Sequence, residues 1–169
     1  MMEQDNQQQD NNQKNSLVLR EKGELLFQTD IVTRSVVKNL IREAIRGMEH
    51  AYAPYSKHYV GAALLTTKEK IYIGCNIENA AYGPTNCAER TALFKAVSEG
   101  DKEFAAIAIV GGKMGIIKDF FPPCGVCRQV LREFVDPKTF LVILARTEED
   151  YAIYSLEALL PLSFGPEHL

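Results

Sequence analysis

Residues 105–110 of this chain, Ala-Ala-Ile-Ala-Ile-Val, are apolar at every position, and Gly111-Gly112 closes the run. In a strand, successive side chains point to opposite faces, so a run without alternation has no face suited to water. Such a strand belongs in the middle of a sheet covered on both sides. Phe140 to Ala145 is another buried strand of this kind. Val60 to Leu65 and Ile71 to Cys75 are shorter β-rich runs, and Thr67-Lys68-Glu69-Lys70 between them reads as a hairpin turn. Val36, Val37, Leu40, Ile41, Ala44, Ile45 and Met48 recur three and four residues apart, which marks one apolar helix face. Further helices are expected over about 88–99, with Gly100 as a left-handed cap, and over about 125–134. A short run at 151–154 and a last helical turn near 155–160, capped by Ser155, complete the chain. Helix, hairpin, helix, strand, helix, strand: this order predicts a layered α/β domain with a mixed sheet.

The 169 residues supply about one such domain. At 46% hydrophobic and 24% charged residues the composition is that of an ordinary globular protein, and the folded unit is expected over residues 30–169. Residues 1–15 include nine Gln or Asn and no aliphatic residue beyond the leading methionines. Such a segment cannot bury enough apolar surface to offset its ordering entropy, so it reads as a disordered tail; residues 16–29 read as an amino-terminal arm. Nineteen basic against twenty-two acidic residues give a net charge of −3, which argues against a general binder of nucleic-acid backbones. No stretch approaches the roughly 18 apolar residues of a membrane span. The polar amino terminus lacks a signal peptide's apolar segment, and a cytoplasmic protein is expected.

The chemistry lies in the cysteines. Cys87-Ala88-Glu89 opens one predicted helix and Pro123-Cys124-Gly125-Val126-Cys127 opens another. A helix amino terminus presents free N–H groups and a partial positive charge, which favours thiolate, the form that binds metal. Three sulfurs would leave one position of a tetrahedral zinc ion open, as catalytic sites do. A redox Cys-X-X-Cys pair is the competing reading, but it requires neither Cys87 nor an adjacent acid. Cys75 has no helix start behind it and reads as a small buried hydrophobe. Glu89 taken alone is a first-turn acid complementing the helix dipole; beside an open metal position it is a candidate proton carrier. Zn²⁺ with three thiolates sums to −1, a weaker Lewis acid than zinc held by imidazoles, so a nearby base must share the work. Arg90 and Arg128 are candidates to offset thiolate charge by hydrogen bonding to sulfur.

Cys-x-Glu followed by Pro-Cys-x-x-Cys is the three-cysteine form of the zinc deaminase signature. Together with Pro54-Tyr55-Ser56, Val60-Gly61-Ala62-Ala63-Leu64, Gly74-Cys75-Asn76-Ile77-Glu78-Asn79-Ala80 and Ser163-Phe164-Gly165-Pro166, it makes the chain resemble the small homotetrameric cytidine deaminases. The resemblance runs from about Pro54 to the carboxyl terminus. It implies a three-layer α/β/α fold with a mixed five-stranded sheet and one zinc ion per subunit on Cys87, Cys124 and Cys127. It implies hydrolytic deamination of cytidine and deoxycytidine to uridine and deoxyuridine in pyrimidine salvage, by a zinc-activated water with Glu89 as proton shuttle. It further implies that the Ala88 N–H contacts the base oxygen, that Asn76 and Glu78 hold the ribose, and that Tyr82 lies near the sugar. Phe164 would reach a neighbouring subunit's site and stack on the base, so that active sites are shared in a homotetramer.

One position departs from the pattern: the family usually has Phe two residues before the Val-Gly-Ala-Ala strand, and this chain has His58. Relatives turn that residue toward the nucleoside pocket, so His58 is expected on the base-facing wall, where an imidazole stacks less well and can gain charge. The alternatives are a deaminase of another cytosine-bearing nucleoside, such as a nucleoside antibiotic, and a non-catalytic zinc-stabilised binding module. A polynucleotide deaminase is disfavoured, because the net charge offers no evident basic groove.

Overall fold

The computed structural model describes Leu19–Arg20 and residues 31–169; the tail expected at 1–15, and all of the expected arm except Leu19–Arg20, lie outside the described residues. Helix α1 (Arg34–Met48) starts where the Thr33 hydroxyl accepts from the Val36 N–H at 3.4 Å. Val37, Leu40, Ile41, Ala44 and Met48 form its buried face. Strands β2 (His58–Thr66) and β3 (Ile71–Cys75) make the expected antiparallel hairpin, with Glu69 at the turn in the left-handed region, φ 63°. Helix α2 (Ala88–Ser98) is followed by Gly100 at φ 96°, a conformation that favours glycine. Strand β4 (Phe104–Lys113), helix α3 (Gly125–Arg132), strand β5 (Leu141–Thr147) and strand β6 (Asp150–Ser155) follow. The Ser155 hydroxyl then caps α4 (Leu156–Leu159) by accepting from the Ala158 N–H at 3.1 Å.

The strands from β2 to β6 form the expected mixed five-stranded sheet, in the order β6-β5-β4-β2-β3. Its β4–β5 pair is parallel and the others are antiparallel. A two-residue strand β1 (Leu19–Arg20) pairs antiparallel with β6 and adds a sixth position at that edge. The all-apolar run sits on β4, at the centre of the sheet. Ala106, Ala108 and Val110 pack on the α1 side, whereas Ile107 and Ile109 pack with Ala88, Ala92, Leu93 and Leu131 of α2 and α3. The fold is therefore three layers. The apolar run stops at Gly111-Gly112, but β4 pairing with β2 continues through His58↔Lys113. Glycine at 112 suits the close approach of the following loop, since a Cβ there would lie 2.0 Å from Ile116 O.

The topology places the site. Both β3 and β4 run antiparallel to β2, so both finish beside the start of β2. The helices that follow them, α2 and α3, begin on that side of the molecule. Gly74 of β3 lets α2 sit close, because a Cβ there would meet Ala88 O at 2.3 Å and Ala92 N at 2.4 Å. Gly61 of β2 does the same for α1 on the opposite face, where a Cβ would meet Ala44 O at 1.9 Å.

Candidate active site

Cys87 and Cys124 are the N-cap residues of α2 and α3, each in extended backbone conformation. The Cys124 sulfur accepts from the Cys127 N–H at 3.5 Å, as a capping serine oxygen would. Cys127 lies one turn inside α3 and is fully buried. The three sulfurs lie within 4.8 Å of one another. Cys75 is not among them: it is half-buried, and its Sγ donates to His50 O at 3.3 Å. Two sulfurs each about 2.3 Å from a tetrahedral zinc ion stand roughly 3.8 Å apart, and Cys87 Sγ and Cys124 Sγ are 3.9 Å apart. Soft sulfur donors at this spacing fit zinc, with Cys87, Cys124 and Cys127 as its holders.

Charge around the cluster favours thiolate at Cys87. Sharing a proton with Cys127, with added help from the Arg90 guanidinium, brings the Cys87 thiol down to about 5. The same sharing and burial hold the Cys127 thiol up. Arg90 Nη2 donates to Cys87 Sγ at 3.7 Å and to Thr85 O at 3.1 Å, while its Nε is buried without a hydrogen-bond partner among the described residues. Arg128 differs from the sequence-based expectation. Its Nε donates to Pro123 O at 2.8 Å and its Nη1 to Leu159 O at 2.6 Å. Its described hydrogen bonds thus end on carbonyls, which are stronger acceptors than sulfur.

Glu89 is 4% exposed in the first turn of α2. Burial pushes its carboxyl up to about 7, and the neighbouring Cys87 charge adds to the effect. A carboxyl poised there can both take and release a proton near neutral pH. Ala88, also buried, is the first residue of α2, so its N–H has no acceptor within the helix.

Asn76 and Glu78 both serve the walls beside β2. Asn76 Oδ1 accepts from the Val60 N–H at 2.9 Å, and its Nδ2 donates to His58 O at 2.8 Å. Glu78 Oε2 accepts from the N–H groups of Tyr55 and Ser56 at 2.9 and 3.2 Å. His58 is half-buried, with its ring centroid 6.3 Å from that of Phe121. Both line a cleft of about 530 Å³ with Met114, Ile116 and Lys118. Tyr82 and Phe164 lie outside the buried centre: Tyr82 is 76% exposed, edge-on to Tyr55, and Phe164 is 56% exposed, stacked on His168. Sequence reasoning missed Phe121, although Phe120-Phe121-Pro122 directly before Pro123-Cys124 was a visible signal. It also missed Thr91, which donates to Cys87 O at 3.2 Å one turn along α2.

Comparison with known proteins agrees with this geometry. The family model for the cytidine and deoxycytidylate deaminase zinc-binding region matches residues 34–143. A cytidine deaminase of Sporosarcina psychrophila is 48% identical over 133 residues, covering 79% of this chain and 94% of that protein. A probable cytidine deaminase of Dictyostelium discoideum is 42% identical over 134 residues, 79% of this chain and 86% of the relative. Among solved structures, cytidine deaminase from Burkholderia pseudomallei superposes with a TM-score of 0.68 at 48% identity, covering 75% of this chain and 97% of that one. The Mycobacterium tuberculosis enzyme gives 0.64 at 36%, over 75% and 95%. The three converging thiols, the buried acid beside them and these matches over most of the chain agree, and the chain belongs to the zinc-binding cytidine and deoxycytidylate deaminase family.

Proposed function

We propose that this protein hydrolyses cytidine and deoxycytidine to uridine and deoxyuridine, releasing ammonia. The observation that carries this reading is Glu89, buried beside three sulfurs spaced for zinc, in a chain of this family. When held there, zinc supplies the Lewis acid that makes water nucleophilic at neutral pH. Glu89 moves the protons: its carboxylate takes them from the attacking water and delivers one to ring N3 and one to the amino group that departs from C4. The water oxygen stays on C4, so the C4–N bond breaks without a redox step.

In this reading the Ala88 N–H donates to the base carbonyl. Asn76 keeps its second Nδ2 hydrogen, and Glu78 its Oε1, for the sugar hydroxyls, and Tyr82 adds to the sugar side. His58 forms the base-facing wall, and Arg90 offsets thiolate charge. Phe164 enters a neighbouring subunit's site, so the working form is a homotetramer built on residues 30–169. A cytoplasmic place in pyrimidine salvage fits the thiols, since metal-binding cysteines outlast oxidation in a reducing compartment. Among the described residues no helix is long and apolar enough to cross a membrane.

The test is Glu89→Gln with zinc content measured alongside ultraviolet assays on cytidine, deoxycytidine and free cytosine. The wild type is expected to convert both nucleosides but not the base. The variant keeps its zinc and loses about a hundredfold to ten-thousandfold in kcat, the usual worth of a general acid–base. Unchanged turnover removes Glu89 from the mechanism, and conversion of free cytosine removes the sugar-binding roles.

A further inference from the structure

Helix α3 holds more than the two cysteines. Arg128, Gln129 and Arg132 all reach from it to the carboxyl-terminal segment. Arg128 Nη1 donates to Leu159 O, and Gln129 Nε2 donates to Phe164 O at 3.0 Å. Arg132 is the unusual member, a charged residue only 7% exposed. Its Nε donates to Ser163 Oγ at 2.9 Å, and its Nη2 pairs with Glu167 Oε1. Residues 163 and 167 bracket Phe164, so one guanidinium ties down both ends of the turn that carries the ring. Gly165 presses against that guanidinium: a Cβ there would lie 2.3 Å from Arg132 Cζ. Glycine is not needed at 165 for conformation, since its φ of −147° suits any residue; its role is to leave room for the arginine. The turn is also entered through Leu162 at φ 51°, a left-handed conformation that a leucine holds only when its surroundings impose it.

We infer that Arg132 is a positioning residue for substrate binding, which clamps the Ser163–Glu167 turn to the cysteine-bearing helix and so presents Phe164. The inference rests on the proposal that Phe164 stacks on the substrate base. A buried charge is retained here at a desolvation cost, and its two bonds flank Phe164, whose other contacts are the Gln129 amide on its carbonyl and the His168 ring stacked on its own.

The experiment compares Arg132→Met, Gly165→Ala, Phe164→Ala and the double variant Arg132→Met/Phe164→Ala, with zinc content and oligomer size measured for each. Gly165→Ala reaches the same clamp by displacing the guanidinium without removing a buried charge, which covers the case in which Arg132→Met does not fold. Arg132→Met and Gly165→Ala are expected to raise KM for cytidine about tenfold, roughly the worth of one aromatic stack. Their kcat and zinc content stay near wild type, and the double variant binds no worse than Phe164→Ala alone, because residues acting through one contact are not additive. A Phe164→Ala variant with unchanged KM defeats the stacking proposal itself. Raised KM in Phe164→Ala but not in either clamp variant overturns the inference about Arg132 alone. Additive losses in the double variant, or zinc loss in both clamp variants, overturn it too by showing a merely structural role.

Discussion

Glu78 shows how one side chain can serve fold and site together. Its carboxyl is lowered from its ordinary value because the Ser56 side chain bonds to it, and the Tyr55 and Ser56 N–H groups add to that. A depressed acid contributes stability above its unfolded value of 4.5 and loses that contribution as pH falls through its folded value. The melting temperature of Glu78→Gln is therefore expected to sit below wild type at neutral pH by a constant margin. The margin narrows as pH drops below 4.5 and vanishes once the wild-type carboxyl is protonated. A melting series against pH checks this, and a margin independent of pH means that ionisation of Glu78 holds nothing in the loop. Sequence spacing placed Glu78 two residues after Asn76 on an extended segment, where alternate side chains share a side. It gave no hint that both would bond to backbone on the far side of the hairpin, because those contacts depend on which strand lies next door.

At the scale of elements, the site is a consequence of where two helices begin. Their starts were legible: Cys87 and Cys124 are the cap residues, and helical periodicity placed α2 and α3 to within two residues. The convergence of those starts was legible only through the motif, since it depends on β2 separating two strands that run the same way. The glycine contacts that let α2 sit on β3 were not legible, as nothing in Ile-Gly-Cys names the helix above it. This yields a paired prediction. At Gly74 an added methyl meets helix backbone that cannot turn aside. Gly74→Ala should thus cost about 1–3 kcal/mol, as overpacking does, and should shift Cys87 enough to lower zinc occupancy. At Gly125, the first residue of α3, nothing lies within 4 Å of an added Cβ. Gly125→Ala should keep full zinc and gain about 0.5–1 kcal/mol from reduced freedom of the unfolded chain. Denaturant melts with metal analysis read both, and equal behaviour of the two variants contradicts the close-packing account.

At the scale of the whole molecule, the chain leaves large hydrophobic side chains in water, among them Tyr52, Tyr55, Ile77, Tyr82 and Phe164. Single exposed apolar residues are ordinary in a monomer, so exposure alone does not identify a partner. Placement is more telling: Tyr52 and Ile77 bridge to each other beside Asn76 and Glu78, while Phe164 stands at the end of the segment held by α3. If one chain's Phe164 completes another chain's site, the two functions can be separated and recombined. Glu89→Gln subunits lack the proton carrier but keep a sound Phe164. Phe164→Ala subunits keep Glu89 but lack the ring. Each homo-oligomer alone should show low kcat/KM, for different reasons. After the two are unfolded together and refolded, mixed oligomers contain some sites with Glu89 from one parent and Phe164 from the other. Those sites are whole, and the mixture is expected to show more activity than the sum of its parents refolded separately. A site built within one chain permits no such rescue, because every chain in the mixture carries one defect. Light scattering on the same samples fixes the oligomer size, and a monomer at assay concentration, or a mixture no better than its parents, rules out the shared site.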